Sequence, residues 1–159
     1  MHFVIHSIIM DNGNSIITLS ASSVASIYLR DSSASYVLNS IGTTLLKNDT
    51  WYYIVGVRDG TTGRIYVNGV LDNTPITNAS FGSINSYDHW HIGVGGITGA
   101  DDHNSYFNGY VDDVRMYNTA VPAFQIKEQY YAGLNQLFNS GGINKEEYLT
   151  RIEELLAKK

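Results

Sequence analysis

The stretch WYYIVGVRDG at residues 51–60, followed by RIYVNGVL at residues 64–71, decides the fold of this 159-residue chain. Both runs are rich in β-branched and aromatic residues, and their apolar side chains alternate with others, which is typical of β-strands. Asn68 and Gly69 both tolerate a positive φ and therefore predict a tight two-residue turn that folds the second run back on itself. The stretch predicts an antiparallel hairpin.

Similar short runs fill the first 120 residues. They are separated by Gly, Asn and Asp, and no helical period lies between them. Nine runs are predicted as strands, at residues 2–10, 14–21, 24–30, 34–40, 50–58, 63–68, 70–73, 89–95 and 106–117. Nine short strands without intervening helices predict an all-β, antiparallel sandwich or barrel.

The pattern changes after Thr119. Apolar residues then recur at three- and four-residue steps, which predicts an amphipathic helix through Ile126, Tyr130, Leu134, Leu137 and Phe138. Gly141 and Gly142 predict the end of that helix. A second helix is expected to begin at Asn144, which can cap the amide of Glu147 while that glutamate reaches back.

These two patterns divide the chain into a β-domain over residues 1–121 and a C-terminal helical hairpin over residues 122–159. The hairpin is expected to pack on the sandwich or on a partner. Its second helix would use an apolar stripe of Tyr148, Ile152, Leu155 and Leu156.

Composition and charge narrow the classes of function. Ten Lys and Arg against fifteen Asp and Glu give a net charge of −5, which argues against nucleic-acid binding. The chain has no cysteine, so disulfides and cysteine-based zinc sites are excluded. No run of about 18 apolar residues predicts a membrane span. Met1–Met10 lacks the basic start of a signal peptide and is predicted to be a strand.

Two sets of motifs resemble the laminin G-like, concanavalin A-type jelly-roll family. WYYIVGVRDG with RIYVNGVL is similar to that family's strand ending in Asp-Gly and to its next hairpin. FNGYVDDVRMYN at residues 107–118 is similar to its closing strand. The resemblance covers about residues 14–126 and implies a concanavalin A-like jelly-roll sandwich. More loosely, residues 125–159 resemble the tails of pilin-like surface proteins.

The family's opening strands have no counterpart in the motifs of this chain. In that fold the first strand normally pairs with the closing one, so the resemblance implies that residues 106–117 lose a neighbour and form an exposed edge. We therefore expect either a missing N-terminal segment or strand pairing with another chain.

Catalysis is not expected, although related glucanases cleave β-glycans with two glutamates on one strand. All five Glu of this chain lie after residue 120, and the adjacent Asp112 and Asp113 would point to opposite faces of a strand. A glycan hydrolase is therefore the weakest candidate. Asp112 and Asp113 match the family's Asp-Asp pair, which implies either a structural calcium or a structural role in which one of them pairs with Arg115 or accepts backbone amides near the sheet rim.

Recognition is expected at the loop-rich residues 86–106, since loops of a sandwich commonly carry binding sites. Carboxylate and amide oxygens there can hold sugar hydroxyls, and aromatic rings can stack on a sugar; the alternative is a solvated loop with Trp90 in the core. The candidate ligand-binding residues are Asp88, Trp90, Asp101, Asp102, His103, Asn104 and Tyr106.

The function implied by the resemblance is a non-catalytic glycan-recognition or adhesion module of a surface or secreted protein, located outside the cell or on its surface. Its partner would be a glycan or a surface protein. The alternative is a structural module of a surface or pilus-like assembly. Recognition predicts exposed aromatics at residues 87–106, whereas assembly predicts an exposed stripe at Ile152, Leu155 and Leu156.

Overall fold

The computed structural model describes residues 10–11, 15–19, 23–33, 37–84, 91–95 and 105–157. The strands found there are β1 (Met10–Asp11), β2 (Ser15–Leu19), β3 (Ala25–Arg30), β4 (Val37–Ile41), β5 (Ile54–Asp59), β6 (Thr62–Val67), β7 (Val70–Leu71), β8 (Ile76–Thr77), β9 (His91–Ile92), β10 (Val94–Gly95) and β11 (Ser105–Tyr106). The helices are α1 (Ala123–Asn139) and α2 (Lys145–Ala157).

All described strand pairs are antiparallel. A five-stranded sheet has the order β4-β3-β2-β1-β9, and a four-stranded sheet has β5-β6-β7 with β8 also paired to β6. β10 and β11 form a separate pair. The predicted antiparallel sandwich with a C-terminal helical hairpin is confirmed.

The hairpin that decides the fold pairs β5 with β6, with Ile54 opposite Val67. At the turn into β7, Asn68 has φ 51° and Gly69 has φ 80°, as the predicted turn requires. Gly56 on β5 sets how closely the sheets approach, because a Cβ there would lie 2.5 Å from Cδ1 of Ile27 on β3.

The main hydrophobic core lies between the two larger sheets. Its buried members come from the strands and from the segments that join them, and they are Ala25, Ile27, Leu29, Leu38, Leu46, Tyr52, Ile65, Val67 and Phe81. Burial of this many large apolar side chains is the dominant contribution to the stability of the sandwich.

The two helices cover the outer face of the four-stranded sheet. On α1, Ile126 packs with Val57 and Tyr66, and the ring of Tyr130 stacks on Tyr53 with centroids 6.1 Å apart. On α2, Leu155 is only 4% exposed and contributes to the second apolar cluster. The molecule is thus built in three layers, with the four-stranded sheet in the middle.

The ends of the helices follow the sequence closely. Gly141 has φ 75° just after α1, and the Asn144 side chain accepts the amide of Glu147 at 2.8 Å before α2. The predicted reach of Glu147 back to the start of the helix is wrong. Its carboxylate instead accepts a hydrogen bond from Arg151 at 2.6 Å, because that buried guanidinium lies one helical turn away.

The predicted strand at 106–117 is also wrong beyond its first residue, since residues 107–122 contain no strand. Asp113 has φ 52°, and its amide donates to the Asp112 side chain at 2.8 Å. This local turn interrupts the extended conformation that a strand needs. Of the first predicted strand, at 2–10, only Met10 is within the described residues, and β8 was not predicted.

Neither of the two helices is both long enough and apolar enough to cross a membrane; this holds for the described part of the chain.

Candidate functional site

The two larger sheets do not end at the same place. Across the core, β3 lies against β5 and β6, and β4 lies against β6 and β8. Beyond β3 the five-stranded sheet continues through β2, β1 and β9, whereas the four-stranded sheet ends at β5. Within the described residues, β5 is therefore an edge strand where the opposite sheet still continues.

A groove of about 610 Å³ follows this edge. One wall is residues 54–58 of β5, and the other is residues 110–121, which we call the rim segment. The floor is apolar and includes Ile17, Ile27 and Leu29 from the five-stranded sheet. We call this space the edge groove.

The backbone of β5 presents hydrogen-bonding groups to the edge groove. The Asn68 amide donates to the Tyr53 carbonyl at 2.8 Å. This bond shows which residues of β5 direct their backbone groups toward β6. Because such residues alternate along an antiparallel pair, the backbone groups of Ile54, Gly56 and Arg58 point to the outer edge. No group in the described ranges forms a hydrogen bond with them.

Aromatic rings stand near the rim segment. Tyr110 is 74% exposed, and its ring lies 6.2 Å from that of Trp51 at an angle of 42°. Tyr106 on β11 is 71% exposed. These rings offer flat apolar faces at the protein surface.

A polar network links the rim segment to α1 and to Tyr53, the residue before β5. Tyr53 Oη donates to Gln129 Oε1 at 2.7 Å, and Gln129 Nε2 donates to Tyr117 Oη at 3.1 Å. Burial, reinforced by the neighbouring Tyr117, raises the pKa of Tyr53 to about 12. Tyr53 is therefore a protonated donor at neutral pH, and it fixes the orientation of the Gln129 amide.

The two predicted calcium ligands lie on the rim segment. Asp113 Oδ1 accepts from Arg115 Nε at 2.8 Å, and this hydrogen bond raises the pKa of the guanidinium. Asp112 holds the turn at Asp113. The ion pair with Arg115 that the sequence allowed is thus present.

These two carboxylates do not by themselves make a calcium site. Calcium takes six to eight oxygens, and within the described ranges no group of three or more histidine or acidic side chains is placed to hold a metal ion. Calcium binding at Asp112 and Asp113 stays a prediction.

Most of the predicted ligand-binding residues lie outside the described residues, namely Asp88, Trp90, Asp101, Asp102, His103 and Asn104. Tyr106 is described, pairs with Val94 and is exposed, and its role in binding stays a prediction.

Other residues in or beside the edge groove were missed as candidates. Trp51 was interpreted only as a strand marker, and Tyr110, Tyr117 and Gln129 were interpreted as parts of a strand or helix. The usable signal was the high density of tyrosine and of hydrogen-bonding side chains between residues 106 and 118.

The sheet order and the core define an antiparallel β-sandwich with a C-terminal helical hairpin. The chain matches the family model of laminin G-like domains in the concanavalin A-like lectin/glucanases superfamily over residues 4–127, and it belongs to this family. The match covers more than half of the chain and confirms the resemblance seen in the motifs.

One solved structure with a similar fold is an S-layer domain-containing protein, residues 221–444, from Clostridium thermocellum. It shares 20% sequence identity, and the match covers 76% of this chain and 58% of that chain with a TM-score of 0.43. This chain therefore spans less than two thirds of that structure. No curated protein matches the sequence.

Proposed function

We propose that this chain is a non-catalytic recognition module that binds a glycan at the aromatic side chains beside the edge groove. The observation that carries the proposal is the exposure of Tyr110 next to Trp51. A tyrosine ring left mostly in water contributes little to stability, whereas a sugar ring can stack on it.

Polar groups close to these rings would supply directional contacts. Asp112 and Arg115 lie on the same rim segment, and both are exposed. Arg115 presents several N–H donors, and a carboxylate accepts hydrogen bonds from sugar hydroxyls. Stacking together with a few such bonds is a shallow binding mode, which fits an open surface better than an enclosed pocket.

The arrangement of carboxylates supports binding without catalysis. All five glutamates of the chain lie on α1 and α2, away from the strands. On the rim segment, the carboxylate of Asp113 accepts a hydrogen bond from Arg115. A retaining glycosidase needs two free carboxyl groups about 5 Å apart across a substrate. The hydrolase remains the weakest of the three candidates.

The assembly alternative receives less support. It predicts an exposed stripe at Ile152, Leu155 and Leu156, but Leu155 is buried and Ile152 is partly buried in the cluster beneath α2. Only Leu156 is largely exposed. Membership of a lectin-type family supports a place on the cell surface or outside the cell, as part of the same proposal.

A glycan array tests the proposal, with the protein probed in calcium buffer and again with a chelator. We expect binding to a limited set of glycans, reduced about tenfold by Tyr110→Ala. Tyr131→Ala is the matched control, because Tyr131 is an exposed tyrosine on α1 that does not line the edge groove.

Absence of binding to every glycan, or equal losses in the two variants, would reject glycan recognition at this place. A signal that disappears with the chelator would add calcium to the proposal, and a signal unaffected by it would remove calcium.

A further inference from the structure

We propose, beyond glycan recognition, that Asn108 is a site of spontaneous covalent modification, at which the backbone amide of Gly109 attacks the side-chain amide and releases ammonia. The product adds one negative charge to a chain whose net charge is −5, immediately before the rim segment. The same pair of residues recurs at Asn68 and Gly69, and the contrast between these two places carries the inference.

The reaction needs only water. The Gly109 nitrogen loses its proton to solvent and forms a bond to the Asn108 Cγ, and the carbon–nitrogen bond of the side-chain amide breaks as ammonia leaves. Water then opens the resulting imide ring. Attack at the side-chain carbonyl gives aspartate, and attack at the backbone carbonyl gives isoaspartate, in which the chain runs through the side chain. Glycine favours ring formation because it has no Cβ to obstruct its own nitrogen.

Asn108 lies where the chain is open to solvent. Asn108, Gly109 and Tyr110 are all exposed, and none of them belongs to a helix or strand. Within the part of the chain that the structure describes, no hydrogen bond involves the Asn108 side chain or the Gly109 amide. The side chain and the backbone can therefore rotate into the ring-forming geometry without breaking an interaction.

The exposed stretch at residues 108–110 lies between two packed side chains. Phe107 and Val111 are partly buried, and both pack with Ile17. A carboxylate, or an extra backbone carbon in the isoaspartate product, therefore appears two positions before the exposed ring of Tyr110. Modification of Asn108 alters the surface beside the edge groove without removing an apolar side chain from the core.

Asn68 and Gly69 have the same sequence but a fixed geometry. The Asn68 side-chain oxygen accepts the Tyr53 amide at 3.0 Å, and the backbone amide of Asn68 donates to the Tyr53 carbonyl at 2.8 Å. A Cβ at Gly69 would lie 3.1 Å from both Leu155 and Tyr130, so the turn is closely packed. Ring formation would break the side-chain bond and displace this turn. We therefore expect Asn68 to react only when the turn opens.

Incubation of the full chain at neutral pH, followed by peptide mapping with tandem mass spectrometry, measures the reaction at each site. The modification raises the mass by about 1 Da, and fragmentation locates the change. We expect Asn108 to react at least about tenfold faster than Asn68 in the folded protein. In denaturing urea the two rates should agree within about twofold, because the fold no longer protects Asn68. The Asn-Gly pair at residues 12–13 lies outside the described residues and is measured separately.

Gly109→Ala tests the chemistry, because the added Cβ obstructs the attacking nitrogen; we expect the rate at Asn108 to fall about tenfold and the rate at Asn68 to stay unchanged. A synthetic peptide of residues 107–111 gives the rate without the fold, and Asn108 in the protein should react within about tenfold of it.

Three results would overturn the proposal: equal rates at Asn108 and Asn68 in the folded protein, a rate at Asn108 that falls further below that of the peptide, or a rate at Asn108 unchanged by Gly109→Ala. The comparison of the two sites uses the natural protein and does not depend on the folding of the variant. None of these measurements depends on glycan binding.

Discussion

The guanidinium of Arg151 on α2 donates to the backbone carbonyl of Trp51 at 3.0 Å, although 100 positions separate the two residues. Arg151 is 9% exposed, and its other terminal nitrogen donates to Glu147. The helical hairpin is therefore fixed to the chain just before β5, which forms one wall of the edge groove.

Replacing Arg151 should destabilise the protein. Arg151→Ala leaves the Trp51 carbonyl without its donor and opens space beneath α2, so we expect a loss of about 2–3 kcal/mol in the free energy of unfolding. Urea denaturation measures it. Arg115→Ala is the control, because its ion pair with Asp113 is exposed and should contribute less than about 1 kcal/mol. Equal losses would show that the bond to Trp51 is unimportant.

A methyl group at Gly69 should push the C-terminal helical hairpin away from the four-stranded sheet. Gly69 has φ 80°, and a Cβ there would lie 3.1 Å from both Leu155 and Tyr130. Gly60 also has a positive φ but nothing within 4 Å of the same position. Both Gly→Ala variants carry backbone strain of about 1 kcal/mol, and Gly69→Ala should cost about 1–2 kcal/mol more. Thermal unfolding of the two variants decides the matter; indistinguishable midpoints would contradict the packing at Gly69.

Asp72 should anchor the segment that follows β4. Its buried carboxylate accepts the amides of Thr43 and Thr44 at 3.0 and 3.1 Å and also the hydroxyl of Thr44. Asp72→Ala leaves the Thr44 amide and hydroxyl without this acceptor, whereas the Thr43 amide still donates to the backbone carbonyl of residue 72 at 3.0 Å. We expect a loss of about 2–3 kcal/mol. The exposed Asp59 provides the comparison, since Asp59→Ala should change stability by less than about 0.5 kcal/mol. Equilibrium denaturation by urea gives both values.

Alkaline pH should weaken the fold through Tyr53. Its pKa is about 12 in the folded protein, against an ordinary value of 10.0, so the folded state binds its proton more tightly. The contribution to stability is complete below about pH 10 and is lost as the pH rises through about 12. Urea unfolding at several pH values should show a shallower decline above pH 10 in Tyr53→Phe than in the natural protein. Equal slopes above pH 10 in Tyr53→Phe and in the natural protein would contradict this contribution of Tyr53.

Local signals in the sequence predicted much of the fold. Asn68 and Gly69 predicted the turn, Asn144 predicted the start of α2, and the three- and four-residue spacing around Tyr130 predicted the buried face of α1. Each of these features depends on a few neighbouring residues, and such short-range preferences can be read directly from a sequence.

The edge groove depends on relationships that the sequence does not display. The alternation at residues 106–117 favours a strand, but a strand also needs a neighbour, and the turn at Asp112 and Asp113 prevents the extended conformation. The expected exposed edge was therefore assigned to the wrong segment; among the described strands, β5 forms the edge that borders the groove. The contact of Trp51 with Tyr110 joins residues 59 positions apart, and no local pattern marks it.

The packing of Leu155 against Gly69 and of Tyr130 on Tyr53 also matters to anyone who wishes to graft this domain into another protein. A graft cut where the strand pattern ends would leave the outer face of the four-stranded sheet bare, and an uncovered apolar face promotes aggregation. The shortest segment suitable for grafting therefore includes both helices, through Ala157. On expression, the segment that includes both helices should accumulate in soluble form, and the segment that ends with the strand pattern should accumulate in inclusion bodies.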